Sequence, residues 1–168
     1  MIMSKSKILV FTFFLLFCTL MPLANAAPNQ SMFFVKVYAA PENFRGKVEF
    51  NENLFILDGT QWGFVTDEFG DQYGNHRIGR VDLTIMLVAR LGPNGLYDAQ
   101  GTSIVQFVIT FDNGRIVEGV AKARIVHPTI DGNQIVEGQF VGHGDMHVVG
   151  VLQNIEVGSG FALNGYSW

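Results

Sequence analysis

His143, Asp145 and His147 stand at alternate positions in the stretch Val141 to Gly150, which gathers two of the chain's four histidines and a carboxylate within five residues. On an extended strand alternate side chains share a face, so this spacing could build a metal site or an acid/base pair. Distance weighs against the metal. At roughly 3.3 Å per residue the two histidines lie about 13 Å apart along a strand, while a His-x-Asp pair at about 6.6 Å supplies too few ligands alone. Further ligands would have to come from His76, His127, Glu118 or Glu137, and no metal site is assigned. For acid/base work the candidates are Asp145, His147, Glu118 and Glu137, each of which would need burial to shift its proton affinity. The glycines suggest a plainer role. One strand from Gln134 to Leu152 would be far longer than the usual three to ten residues, so a break near Gly142-His143-Gly144-Asp145 is expected. That break places His143 on a hairpin tip, with Asp145 and His147 opening the next strand.

The elements that would position these residues follow a targeting segment. Lys5 and Lys7 precede an apolar run from Ile8 to Leu23 and the small-x-small pattern Ala24-Asn25-Ala26, which reads as a signal peptide cleaved after Ala26. Residues 27–168 then form one domain, secreted or periplasmic, with no stable membrane anchor once the leader is removed. Cleavage removes two lysines, so the remaining chain carries 9 basic and 15 acidic residues, a net charge of −6 that excludes nucleic-acid binding by bulk electrostatics. The one cysteine, Cys18, leaves with the leader, so the domain has no disulfide and depends on its apolar core.

Strand patterns fill that domain. Phe33 to Tyr38 is aromatic and β-branched and is stopped by Pro41, whereas Glu42 to Asn53 is charged and mixed. Asn53 to Leu57 reads as a short strand, Asp58-Gly59 as a turn, and Gln61 to Val65 as the continuation, with Trp62 expected in the core. Asp67 to His76 is a polar, glycine-punctuated loop. Its acids lack the alternate spacing and terminal Glu of an EF-hand calcium loop, so it reads as solvated. Between Val81 and Leu91 the odd positions are apolar and most even ones polar; Ser103 to Phe111 repeats the alternation. Gly92-Pro93-Asn94-Gly95, Asp112-Asn113-Gly114 and Ile130-Asp131-Gly132-Asn133 mark turns, the second being the sharpest hairpin signal. About eight antiparallel strands with no helical periodicity predict an all-β closed barrel, with a sandwich as the alternative.

The strand from Arg115 to Val126 has a small inner face of Val117, Gly119, Ala121, Ala123 and Ile125. In a closed barrel such residues leave volume for a cavity, unless bulky neighbours fill it. If the cavity exists, Phe107, Ile109, Val117, Ala121 and Ala123 line it. No nucleophile elbow, phosphate-cradling loop or Cys/His zinc pattern occurs, and no cofactor is implied.

The hairpin Phe111-Asp112-Asn113-Gly114, the strand Gly138-Gln139-Phe140, the segment Gly144 to Gly150 and the closing Gly158-Ser159-Gly160-Phe161-Ala162-Leu163-Asn164-Gly165 resemble the allene oxide cyclase and dirigent barrels, over roughly Gly79 to Trp168. The resemblance implies an eight-stranded barrel, often a homo-oligomer, with an apolar cavity that holds or steers small hydrophobic molecules. The family's catalytic acids have no residue-by-residue match in this chain. Three roles are therefore carried forward: binding a small hydrophobic molecule inside the barrel, cyclase or isomerase chemistry of the same fold, and a structural or protein-binding exported domain.

Overall fold

Period-two alternation becomes sheet wherever the sequence carries it. The computed structural model describes residues 30–128, 134–155 and 160–168. The expected signal peptide, the turn at 130–133 and part of the closing glycine turn lie outside them. The strands are β1 (Ser31–Tyr38), β2 (Arg45–Asn51), β3 (Leu54–Thr66), β4 (Arg77–Gly92), β5 (Gly95–Phe111), β6 (Ile116–Val126), β7 (Gln134–Gly144), β8 (Val148–Asn154) and β9 (Gly160–Ser167). All pairings are antiparallel, in the order β1-β9-β8-β7-β6-β5-β4-β3-β2. An additional β1–β3 pairing closes eight strands into a barrel and leaves β2 outside it. The only helical piece among the described residues is a 3-10 turn at Pro41–Asn43.

Closure rests on a short seam. Lys36 pairs with Thr66, Val37 with Val65 and Tyr38 with Phe64, after which the chain leaves β1 and returns as β2 along the same edge of β3. At the departure point two carbonyls lose their ladder partners. The amide of the buried Gln61 donates to both, reaching Ala39 O at 3.1 Å and Ala40 O at 2.9 Å. Gly63 lies under the same crossing, where a Cβ would run into the Tyr38 carbonyl.

The interior is apolar and interlocked. Val81, Leu83, Leu87 and Ala89 of β4, Val105, Phe107 and Ile109 of β5, and Val117, Ala121, Ala123 and Ile125 of β6 are buried in one cluster with β1, β3 and β7 to β9. The small face of β6 is met by rings from both flanking strands. Phe107 is paired with Gly119, and a Cβ on that glycine would lie 2.6 Å from the end of the Phe107 ring. Phe140 is paired with Ala121, and its ring meets Phe107 edge-on at 6.4 Å and Phe33 at 6.0 Å. At the Asn113-Gly114 turn Gly114 takes φ +85° and its N–H donates to Phe111 O at 2.9 Å, which closes the β5–β6 hairpin.

Three expectations are corrected. Asp58-Gly59 is not a turn: β3 runs straight through it, and Gly59 pairs with Gly46 beneath the Phe44 ring. The charged segment after Pro41 contains β2, whose Lys47-Val48-Glu49-Phe50 alternation was hidden by flanking polar residues, and the turn falls instead at Glu52-Asn53. Trp62 is half exposed, because Gln61, Gly63 and Val65 take the inward positions of β3 and the Arg80 guanidinium covers the outward indole at 5.8 Å.

The Gln61→Leu substitution strands two buried carbonyls at the closure point and should lower stability by about 1–3 kcal/mol. Urea unfolding followed by tryptophan fluorescence measures this. A Gln61→Glu variant, unable to donate when ionised, should fail at neutral pH as well.

Candidate functional site

The histidine-rich stretch that opens the sequence reading lies on the outer wall. β7 continues through His143 to Gly144, so His143 occupies an exposed strand face rather than a hairpin tip, and the break falls at Asp145 to His147. Its Nε2 lies 3.5 Å from Oε1 of Glu118, the residue opposite it in register, and both side chains are exposed. Glu137 is exposed opposite Arg124, roughly 20 Å along β6 from Glu118 at the usual strand rise. Asp145 works on the backbone. Its N–H donates to Ile116 O at 2.9 Å and its Oδ2 accepts from Ile116 N–H at 2.8 Å, a clamp on the start of β6. His147 exchanges backbone hydrogen bonds with Trp168 at 3.0 and 3.1 Å, and its ring stacks on the Trp168 indole at 5.9 Å. His76 lies in the β3–β4 loop beside Asp67, and His127 follows the far end of β6. Among the described residues no three His, Cys, Asp or Glu side chains are grouped to hold a metal ion.

Phe107, Ile109, Val117, Ala121 and Ala123 converge inside the barrel, all buried. The fully buried polar side chains among the described residues are Gln61, Thr66 and Ser103, and the half-buried His127 has its Nδ1 enclosed without a hydrogen-bond partner. Trp62 and Arg80 belong to the outer face, where Arg80 also forks onto Asp82 at 2.6 Å. Among the described residues no helix is long and apolar enough to cross a membrane.

A concave site forms where the β3–β4 loop folds back over the barrel. Lys36, on the outer face of β1, donates through Nζ to Glu68 O at 2.7 Å and Gly70 O at 3.0 Å, tying the loop down. Gly70 packs on Thr66, where a side chain would collide with the threonine Cβ. The loop is braced from within: Asp67 Oδ1 accepts from Phe69 N–H at 2.9 Å, and Asp71 Oδ1 accepts from Tyr73 N–H at 2.9 Å and Asn75 N–H at 3.2 Å. The carboxylates that invite a calcium reading are thus spent on turns.

Between this loop and strands β1, β8 and β9 lies a groove of about 480 Å³. Phe34, Tyr38, Ile155 and Ala162 supply apolar surface, and Lys36, Asp71, Gln72, Gln153 and Asn154 supply polar groups, with Tyr73 at the rim. Burial pushes the Tyr38 phenol above its ordinary value, with the nearby Asp71 charge adding to the shift. The Asn75 side-chain amide, with the loop N–H groups behind it, holds the Asp71 carboxyl below the usual range. Nothing in the sequence pattern marks this groove, since its walls come from residues 34–38, 70–73, 153–155 and Ala162, brought together only by barrel closure. The outward aromatics Phe34 and Tyr38 on an otherwise core-like strand are the one available signal.

Compared with known proteins, the chain matches no family model, no curated protein and no solved structure.

Because the Asp71 pKa is lowered on folding, the stabilisation it supplies is present above the usual value of 3.8 and is lost as the pH falls through the lowered pKa. Amide protection across Asp67 to Asn75, measured by mass spectrometry and taken relative to the intrinsic exchange rate at each pH, should therefore fall below about pH 4 in the wild type. In Asp71→Ala the same amides should already exchange fast at neutral pH. For Asp145→Ala, loss of the Ile116 clamp should cost about 1 kcal/mol in urea unfolding, with the fold retained.

Proposed function

We propose that this chain is an exported barrel protein that binds a small amphipathic molecule in the groove between the β3–β4 loop and the outer face of β1, β8 and β9. The groove's volume of about 480 Å³ carries the reading, because it falls within the roughly 300–1,000 Å³ of small-molecule sites. Its lining pairs aromatic and aliphatic surface with amide, ammonium and carboxylate groups, which suits a ligand with an apolar body and polar substituents. Export is supported by the basic start, apolar run and Ala-Asn-Ala pattern of residues 1–26.

The interior remains the place for a purely hydrophobic ligand, as the resemblance to allene oxide cyclase and dirigent barrels implies. The rings of Phe107 and Phe140 against Gly119 and Ala121 favour the groove over it. Cyclase or isomerase chemistry in the interior would call for a carboxylate or imidazole beside its apolar walls, and Phe107, Ile109, Val117, Ala121 and Ala123 supply none.

The test uses the secreted protein and an anilinonaphthalene sulfonate probe, followed by fluorescence titration and native mass spectrometry. One probe should bind per chain, with affinity reduced about tenfold or more by Ala162→Leu, which fills the groove, and by Tyr73→Ala, which removes its rim. Affinity unchanged in both variants but lost in Ala123→Leu would move the site into the barrel and overturn the groove.

A further inference from the structure

The sheet ends in an unusual way for a closed barrel. β2 pairs with β3 along seven residues, and its other edge faces no strand among the described residues. The two-residue loop Glu52-Asn53 makes Asn51 and Leu54 a hydrogen-bonded pair. Antiparallel alternation then turns Asn51, Glu49, Lys47 and Arg45 toward β3 and directs the N–H and C=O groups of Phe50, Val48 and Gly46 outward. This edge is not blunted by a proline or bulge, and its apolar side chains are open: Phe50 is 63% and Val48 39% exposed. They continue the inner face of β3, since Phe50 pairs with the buried Phe55 at a ring distance of 5.0 Å and Val48 with the buried Leu57.

We propose that two copies of this chain pair through β2, antiparallel and centred on Val48, to form a continuous sheet across a two-fold axis. The register follows from which groups point outward. Only pairings that set Gly46, Val48 and Phe50 against one another engage those N–H and C=O groups. Centring on Val48 pairs Val48 with its copy and sets Phe50 opposite Gly46 of the second copy, where its ring meets the Phe44 ring that covers that glycine. On the other face it places Lys47 opposite Glu49 of the second copy, and the two-fold axis makes this ion pair twice. Each neighbouring register sets a like-charge pair at its centre: Lys47 against Lys47 one residue earlier, where the Arg45 that would face Glu49 is held by the Glu42 and Phe44 carbonyls at 2.7 and 2.8 Å, and Glu49 against Glu49 one residue later. Within one chain Lys47 and Glu49 already lie 2.6 Å apart, so both charges stand ready on the face where the second copy would present theirs. A strand of this composition is self-complementary in one register, which is the requirement of an isologous interface. The pairing is independent of the groove, which lies on β1, β8 and β9.

Sedimentation equilibrium of the secreted protein tests the pairing. The wild type should be a dimer at about 100 µM, an ordinary concentration for such interfaces. Lys47→Glu and Glu49→Lys should each weaken dimerisation about tenfold or more, and the double variant Lys47→Glu/Glu49→Lys should return to within about threefold of wild type, because the swap restores the cross-strand charges. Val48→Pro removes an outward N–H that pairs with no strand among the described residues, so the fold should persist by circular dichroism while the dimer is lost. A monomeric wild type, or an assembly indifferent to Val48→Pro in the folded state, would overturn the proposal. So would a double variant no better than the single ones. Should Val48→Pro unfold, the exposed charge-swap set decides the matter by itself.

Discussion

The β1–β3 seam is the constraint on which the molecule depends. Six of the eight barrel contacts between neighbouring strands are ladders of seven or more residue pairs and β7–β8 has four, whereas closure is made by three residue pairs at the end of β1. A ladder that short satisfies few backbone groups, and the chain departs from it at once. What compensates is Gln61, whose amide serves both carbonyls of the departing segment, and Gly63, whose lack of a Cβ lets that segment pass directly over β3. A buried amide in this position is bound by the requirement that buried carbonyls be paired. An apolar residue there would pack equally well and leave the barrel open to water at its weakest line.

Closure in turn dictates the interior. Once eight strands surround one axis, inward side chains from all of them compete for the same volume. The sequence answers with complementary sizes: small residues on β6 stand opposite aromatic residues on β5 and β7. Phe107 over Gly119 and Phe140 over Ala121 are a case of large and small residues interdigitating at close-packed density. The alternation that identifies β6 as a strand is therefore ambiguous by itself. A small inner face signals a cavity or a seat for neighbouring rings, and the strand alone carries no information about which.

Legibility in the sequence follows the same division. Local, periodic features are readable: the faces of β4 to β6, the Asn113-Gly114 hairpin and the barrel class all follow from side-chain alternation and turn chemistry. Features made by long-range closure are not. Glu42 to Asn53 looks irregular because β2 is a short outer strand whose apolar alternation is only Val48 and Phe50, set among polar and charged neighbours. Trp62 looks like core because tryptophan usually is, yet its register on β3 points it outward, and register is fixed by Gln61 and Val65 rather than by hydrophobicity. The histidine stretch misleads differently. His143 and Asp145 do find partners, but these are Glu118 on the neighbouring strand and the Ile116 backbone, pairings that depend on strand order and not on spacing within the stretch.

The seam also lies between the two surface features that stand apart from the core. Had β1 continued straight along β3, its edge would be covered to the end and no outer strand would exist. Because it steps away at Tyr38, the first half of β3 must be paired by a separate segment, and that segment becomes an edge. At the opposite end of the seam β3 stops at the buried Thr66, paired with Lys36, and the loop from Asp67 turns back over the outer face of β1 and is fastened by Lys36. The groove and the open edge thus flank the seam, one at each end of β3. Selection for a barrel alone would favour a longer β1 and no edge, since unpaired edges invite association. That the edge carries a self-complementary charge order rather than a blocking proline or a run of lysines is the physical reason to read it as a surface meant to be covered.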